Sequence, residues 1–300
     1  MQPLQHLFQD LIDYAGLFPP AALDMAVMSD NFAQYMQSDE NWMLGRVVVP
    51  LARVADFNQT YSGPSVRISA LTPALDSDEF SPAIDTIAAF NQHEEHKIDA
   101  VEVRTNDLAT IANATKLPDG VCCFVEVPLD QTEAFVKAIA SLNQPHQVFA
   151  KIRTGGVKPE LIPDASLVAE LIVACKQSGI GFKATAGLHH PCRAVYPLTY
   201  ETNCDSARMH GFLNVFLASC FVNELGWDAN MAKTCIDELT AEELEVSDTS
   251  IKWRGHEVTT NAIAKTRKSF AISFGSCSFT EPVEDLTNLS LLPENPNATH

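Results

Sequence analysis

Two lysines in this 300-residue chain stand where a charged side chain needs a reason. Lys151 opens Lys151-Ile-Arg-Thr-Gly-Gly and Lys183 opens Lys183-Ala-Thr-Ala-Gly; each ends a short apolar run and is followed by glycine. An ammonium group among apolar side chains is costly unless it is paired or functional. Glycine just past a strand lets the backbone approach a ligand closely and aims amides at an anion. Two ammonium groups on neighbouring strands lower each other's pKa, and a shift from about 10.4 to about 7 is worth roughly 4–5 kcal/mol against the charged form. A neutral amine of that kind is a nucleophile for a carbonyl substrate. The same two lysines, both left protonated, would instead be fixed cations for an anionic substrate.

Other charged residues fall at the ends of similar apolar runs. In chain order they are Asp99, Glu102 and Arg104, then Glu126, then Arg153, then the pair His189-His190, with Gly275, Ser276 and Ser278 in the last run. Charge in four successive runs is not what a plain hydrophobic core requires. The structural alternative is a salt-bridge network that closes the barrel.

The elements that must position these residues alternate. Runs rich in Val, Ile or Phe occur at Arg46–Val49, Val66–Leu71, Ala100–Val103, Val121–Val127, Val148–Ile152, Phe182–Thr185 and Ala271–Phe274, bounded by Gly, Pro or Asp. Between them, Ser81–His96, Gln131–Leu142 and Ser166–Gln177 carry helical spacing. Such alternation predicts parallel strands in βα units, and seven readable strands favour a (β/α)8 TIM barrel over an open sheet. One domain over residues 1–300 is expected, with a helical and hairpin elaboration at 191–268 before the last strand. There we read helices over Ala207–Leu225 and Met231–Leu239, a hairpin over Glu245–Thr259, and no clear buried strand. The Asp13-Tyr-Ala-Gly-Leu-Phe-Pro-Pro stretch reads as a helix end followed by a proline-rigid loop, and Pro293–His300 as a polar, frayed end. In a barrel the carboxyl ends of the strands build the active site.

The order Ile98-Asp-Ala-Val, Val125-Glu, Lys151-x-x-Thr-Gly, Gly181-Phe-Lys-x-x-x-Gly, Phe274-Gly-Ser-Cys-Ser resembles that of deoxyribose-phosphate aldolases. The match covers about a third of the chain. The resemblance implies a class I aldolase with a (β/α)8 fold and no cofactor. Lys151 would form the Schiff base, Lys183 would be the second active-site lysine, Asp99 the proton relay, and Phe274, Gly275 and Ser278 part of a phosphate loop. Departures are Arg153 beside the lysine, Ala186 in place of a glycine, the His189-His190 pair, and the long insertion. The chain as a whole also looks like bacterial proteins to which no activity is attached.

Weaker signals have plainer readings beside them. His189 and His190 with Glu102, Glu126 and His210 would make an oxygen/nitrogen metal site, though no His-x-His or His-Glu-x-x-His spacing supports one; no metal is expected. His93-Glu-Glu-His96 reads as a solvated helix face. Cys277 is either a reactive thiol at the barrel mouth or a buried, inert one. His210 and Asn214 lie one helical turn apart, as core-facing anchors or as part of a lid. The glycines of Gly179-Ile-Gly181 follow a helix and open a strand, the reverse of a dinucleotide fingerprint.

Composition sets the limits. Acidic residues number 38 against 20 basic ones, a formal charge of −18, which disfavours nucleic acid and anionic membrane surfaces as partners while leaving room for a local basic pocket. Eight cysteines without a Cys-x-x-Cys pair suggest buried thiols in a reducing compartment, and Met1–Asp10 has no features of a secretory signal. A cytoplasmic protein is expected, with a small-molecule substrate and room for a homo-oligomer. The reading is a lyase or aldolase acting on a small carbonyl compound, neutral or anionic. In it Lys151 is the imine-forming amine, Lys183 its pKa-lowering neighbour, and Asp99 or Glu126 the proton relay. Substrate contacts would come from Glu102, Arg104, Arg153, Gly155, Gly156, Gly187, His189, His190, Gly275, Ser276 and Ser278. The alternatives are a metal-dependent barrel lyase or hydrolase using Glu and His ligands, and a non-catalytic binding protein for an anionic metabolite.

Overall fold

A computed structural model of the chain describes residues 2–142 and 147–292; the stretch Pro293–His300 lies outside them. Eight parallel strands close into a barrel. They are β1 (Ile12–Tyr14), β2 (Leu44–Pro50), β3 (Arg67–Leu71), β4 (Lys97–Arg104), β5 (Cys122–Glu126), β6 (Val148–Arg153), β7 (Phe182–Thr185) and β13 (Ala271–Ser276). Each pairs with its neighbour in turn, and β1 closes the circle between β2 and β13. Helices Phe80–His93, Thr132–Ser141 and Ala165–Ser178 occupy the periodic stretches between strands. The fold is the expected (β/α)8 barrel.

The eighth strand is β1, in the stretch read above as a helix end. The helix Gln2–Phe8 stops earlier, and Asp10, at a positive φ of 50°, turns the chain into the strand. Three residues, all buried, are too few to show the alternation that marks a strand.

The 191–268 region therefore supplies no barrel strand. It holds a hairpin of β8 (Ala194–Pro197) and β9 (Ser206–Met209), then a three-stranded antiparallel sheet of β10 (Leu244–Val246), β11 (Ser250–Trp253) and β12 (His256–Thr259). Between these lie helices Phe212–Leu225 and Ala229–Glu238. Phe212 to Val222 are buried without a break, as expected of a helix that is apolar all round. Phe212 stacks on Phe274 at 5.1 Å, so this helix backs the last barrel strand. Asn214 and His210 are anchors. The Asn214 amide donates to the carbonyls of Cys235, Ile236 and Leu239, at the end of the neighbouring helix. The His210 ring bonds the Pro163 carbonyl and Arg193.

Inside the barrel, alternation puts Ala100, Cys122 and Phe124 against Phe149 and Ile272 in a small apolar plug. The larger core lies between strands and helices. All eight cysteines are unpaired and six are buried. No helix among the described residues is long and apolar enough to cross a membrane. His96, expected on a solvated face, is buried against Tyr61 at 5.3 Å between ring centroids.

Replacing Asn214 by Ala should leave three buried carbonyls short of a donor and cost about 2–3 kcal/mol. Urea unfolding of the variant measures it.

Candidate active site

Parallel register brings residues at one level of a barrel side by side, and here that level is charged. Glu126, Lys151 and Lys183 are successive partners across β5, β6 and β7. Lys183 is fully buried above the Phe124 ring. Its Nζ donates to Asp13 Oδ2 at 2.6 Å and to Glu102 Oε1 at 2.5 Å. Asp13 also accepts from Ser273 Oγ at 2.7 Å and from the Arg46 backbone N–H at 2.7 Å. Its carboxylate fits because residue 45 is glycine: a Cβ there would stand 2.5 Å from Asp13 Oδ1. Glu102 Oε1 accepts from Ser69 Oγ at 2.9 Å. Lys151 Nζ lies 3.4 Å from Glu102 Oε2 and 3.0 Å from Glu126 Oε2. Arg153 Nε ends the series 3.4 Å from Glu126 Oε1. Asp13, Lys183, Glu102, Lys151, Glu126 and Arg153 thus alternate in sign from the sealed interior to the exposed rim.

Burial and pairing oppose each other along this row. Burial pushes the Glu102 carboxyl up, but Lys183 and Lys151 outweigh it and hold the group down to about 2. Asp13 is lowered against the same burial by Lys183 and Arg46, and Glu126 by Lys151 and Arg153. At Lys183 burial favours the neutral amine, yet Asp13 and Glu102 together raise it. The expected mutual depression of two ammonium groups fails at Lys183 because a carboxylate stands between the lysines. Lys183 is a fixed cation that organises carboxylates, while Lys151 is the amine that reaches open space.

That space is a cavity of about 280 Å³ at the carboxyl ends of the strands, with Lys151 and Glu102 in its lining. Its walls are apolar: Ala15, Phe18 and Pro19 from the loop after β1, Val48 from β2, Val157 and Leu161 from the loop after β6. Arg153, Thr185 and His189 supply the other polar groups. The turns after β6 and β7 lock together. Thr154 Oγ1 donates to the Ala186 carbonyl at 2.6 Å, and a Cβ on Gly187 would stand 2.7 Å from Gly155 Cα. Gly155 and Gly187 thus serve the approach of one turn to the other. Ala186, which lines the cavity, holds a φ of 60°, a left-handed conformation that alanine adopts only under strain.

The other expected site residues scatter. Gly156, Gly275 and His189 line the cavity. Asp99 does not; Arg46 holds it through two bonds of 2.6 and 2.9 Å. Arg104 is exposed and outside the lining. His190 stacks on Tyr196 at 3.6 Å and bonds Asp285 at 2.6 Å. Ser276 Oγ lies 3.5 Å from His189 Nδ1, and buried Cys277 lies 3.7 Å from the same nitrogen. Burial pushes the Cys277 thiol up, as in an inert cysteine. Ser278 Oγ accepts the Glu281 N–H at 3.1 Å at the start of helix Thr280–Asn288, and the Glu281 carboxylate takes a 2.9 Å bond from Tyr200. That carboxylate lies 3.8 Å from His189 Nδ1, so a phosphate beside His189 would meet it. Among the described residues no three His, Cys, Asp or Glu side chains converge as a metal-ligand set. Sequence reasoning missed Asp13, Ser69, Ser273 and Arg46. Asp13 alone left a trace, an acid among Leu11, Ile12 and Tyr14.

No family model, curated protein or solved structure matches the chain. Of what the resemblance to deoxyribose-phosphate aldolases implies, the closed eight-stranded parallel barrel alone is shown.

Replacing Ala186 by Gly should relieve the left-handed strain and stabilise the protein by about 1 kcal/mol, read by urea unfolding. Replacing Lys183 by Met should leave Asp13 and Glu102 buried without their cation and cost about 3–5 kcal/mol. The pH profile of the melting temperature has a defined shape. Burial holds His189 and His210 down to about 4 against 6.5 in an unfolded chain, so their contribution is present above pH 6.5 and lost as pH falls toward 4. The Glu102 contribution is complete above about pH 4.5 and is lost only as pH falls through about 2. Lys183, raised from 10.5, contributes fully below that pH and loses its share only in stronger base. Burial also pushes the thiols of Cys122, Cys123, Cys175, Cys192, Cys220, Cys235 and Cys277 above 9.0. Stability should therefore be flat only from about pH 7 to 8. It should fall above 9 as these thiols ionise on unfolding and below 6.5 as the histidines protonate, the latter a drop that His189→Asn reduces.

Proposed function

We propose that the protein is a lyase of the aldolase type that acts on a small, non-phosphorylated carbonyl compound through a Schiff base on Lys151. The observation that carries this reading is the Lys151 amine in the lining of an apolar cavity at the strand ends, with two carboxylates at 3.0 and 3.4 Å. Attack on a carbonyl needs the neutral amine and a group to take its proton. Glu126 is the better acceptor. It is partly exposed and shared only with Arg153, whereas Glu102 already takes bonds from Ser69 and Lys183. Asp99 drops out of the relay because Arg46 occupies both its oxygens.

In the reaction the Lys151 nitrogen adds to the carbonyl carbon, and the carbinolamine loses water to give an iminium ion. Glu126 takes the proton of the hydroxyl on the β carbon, and the freed O–H pair forms the second carbonyl as the bond between the α and β carbons breaks. That bond's pair becomes the enamine double bond while the iminium pair moves to nitrogen. Protonation of the enamine and addition of water return the amine and release the first product. Lys183 takes no part in bond changes; it keeps Glu102 ionised and fixed beside the reacting amine. Apolar walls favour a short carbon chain, and the Glu281 carboxylate 3.8 Å from His189 of the lining disfavours a phosphate on that side.

Borohydride added with acetaldehyde, propanal or pyruvate should fix one adduct per chain, and peptide mapping should place it on Lys151. Lys151→Met should abolish the adduct at every pH, and Glu126→Gln should slow its formation about 100-fold while the melting temperature stays near the parent value. An adduct spread over surface lysines, or none with any probe, would refute the Schiff-base mechanism.

A further inference from the structure

We infer that the opposite, amino-terminal face of the barrel carries a second binding site, for a small anion bearing two or more negative charges. A cavity of about 470 Å³ opens there, lined by Arg46, Arg67, Arg267 and Lys268 together with His6 and Asp10. Four guanidinium or ammonium groups face one cavity in a chain whose formal charge is −18, so the site is no sample of a generally basic surface.

The charges are only partly compensated. Arg67 pairs with Asp10 at 2.5 Å and Arg46 with Asp99 at 2.6 Å. Arg267 and Lys268 have no carboxylate in contact among the described residues. Arg267 is the informative one, because it is buried. Its guanidinium donates to the carbonyls of Leu7 at 2.8 Å, Gln9 at 3.1 Å and Ile272 at 2.5 Å, and to that of Ala271. Carbonyls satisfy hydrogen bonds but bring no counter-charge. One of the five guanidinium N–H groups, on Nη2, is left without a partner among the described residues. Burial pulls Arg267 down to about 10, the direction of a buried cation that wants an anion nearby.

Local structure explains part of this arrangement. Arg267 and Lys268 lie in the last turn of helix Thr260–Ser269, where cations suit the helix dipole. That does not account for Arg46 and Arg67, which come from the starts of two different strands and open on the same cavity. Guanidinium groups match phosphoryl and carboxylate oxygens in pairs. The volume suits a free small anion such as a diphosphate or a di- or tricarboxylate. The overall charge disfavours a nucleic-acid backbone.

The site is independent of the chemistry proposed at the other end, and its test is kept separate. Calorimetric titration with inorganic pyrophosphate and with citrate, at constant ionic strength, should show one saturable site per chain with a dissociation constant at or below about 1 mM. Lys268→Glu and Arg67→Gln, both exposed, should each weaken binding about tenfold or more without moving the melting temperature. Lys151→Met should bind as the parent does. Binding of pyrophosphate alone points to a phosphoryl ligand and binding of citrate to a carboxylate one; either supports the site. No saturable binding of either probe overturns the inference. So does binding that Lys268→Glu and Arg67→Gln leave intact, or binding lost with Lys151.

Discussion

The buried ammonium of Lys183 between Asp13 and Glu102 is the contact on which the rest of the barrel interior is arranged. A cation taken out of water needs its counter-charges close and its hydrogen bonds filled, or it loses its proton. Here β1 supplies one carboxylate and β4 the other, while β3 and β13 contribute hydroxyls that hold them. The triad therefore ties together strands from across the circumference, and apolar packing alone would not fix their relative height. Once Glu102 is held on one side by Lys183, its other oxygen is directed at Lys151. The orientation of the Lys151 amine is thus inherited from a buried pair.

The same row separates two tasks that adjoining lysines appear to share. Both follow apolar runs and both precede glycine, and nothing in their local sequence tells them apart. Burial does. Lys183 is sealed and Lys151 lines the cavity. The salt-bridge network and the candidate active site, weighed as alternatives from sequence, belong to one feature: Asp13 and Lys183 are sealed inside it, while Glu102, Lys151 and Arg153 line the cavity and Glu126 stands beside Lys151 outside the lining.

Much of the fold was legible because parallel strands buried on both faces stand out as Val- and Ile-rich runs between helical stretches. The inward-facing charges were legible for the same reason, as exceptions in those runs. What escaped were contacts that depend on closure. Asp13 lies in a strand of three residues, and its partners are 170 and 260 positions away. Asp99 matched a motif, but the register between β3 and β4 shifts between Ile68 and Ser69, so motif position does not translate into facing direction. Gly155 and Gly187 were read as room for a ligand and turned out to be room for each other. Ser278 was read as an anion contact, and its hydroxyl, just before helix Thr280–Asn288, accepts the Glu281 N–H.

The pairing of β1 with β13 has a consequence for how the chain reaches this state. During synthesis Asp13 emerges 260 residues before Ser273, which lies in the strand that pairs with β1. Until then the nascent barrel has an open seam, with β1 and β7 each lacking a neighbour on one side and a carboxylate exposed at the gap. Contacts of such long sequence separation slow folding, because the loop must close before any reward is realised. A charged group at the seam hydrates well and resists pairing with a stray strand, as lysines and acids do on sheet edges. The aspartate that later anchors the interior thus also guards the unfinished edge while the ribosome is still delivering the strand that will cover it.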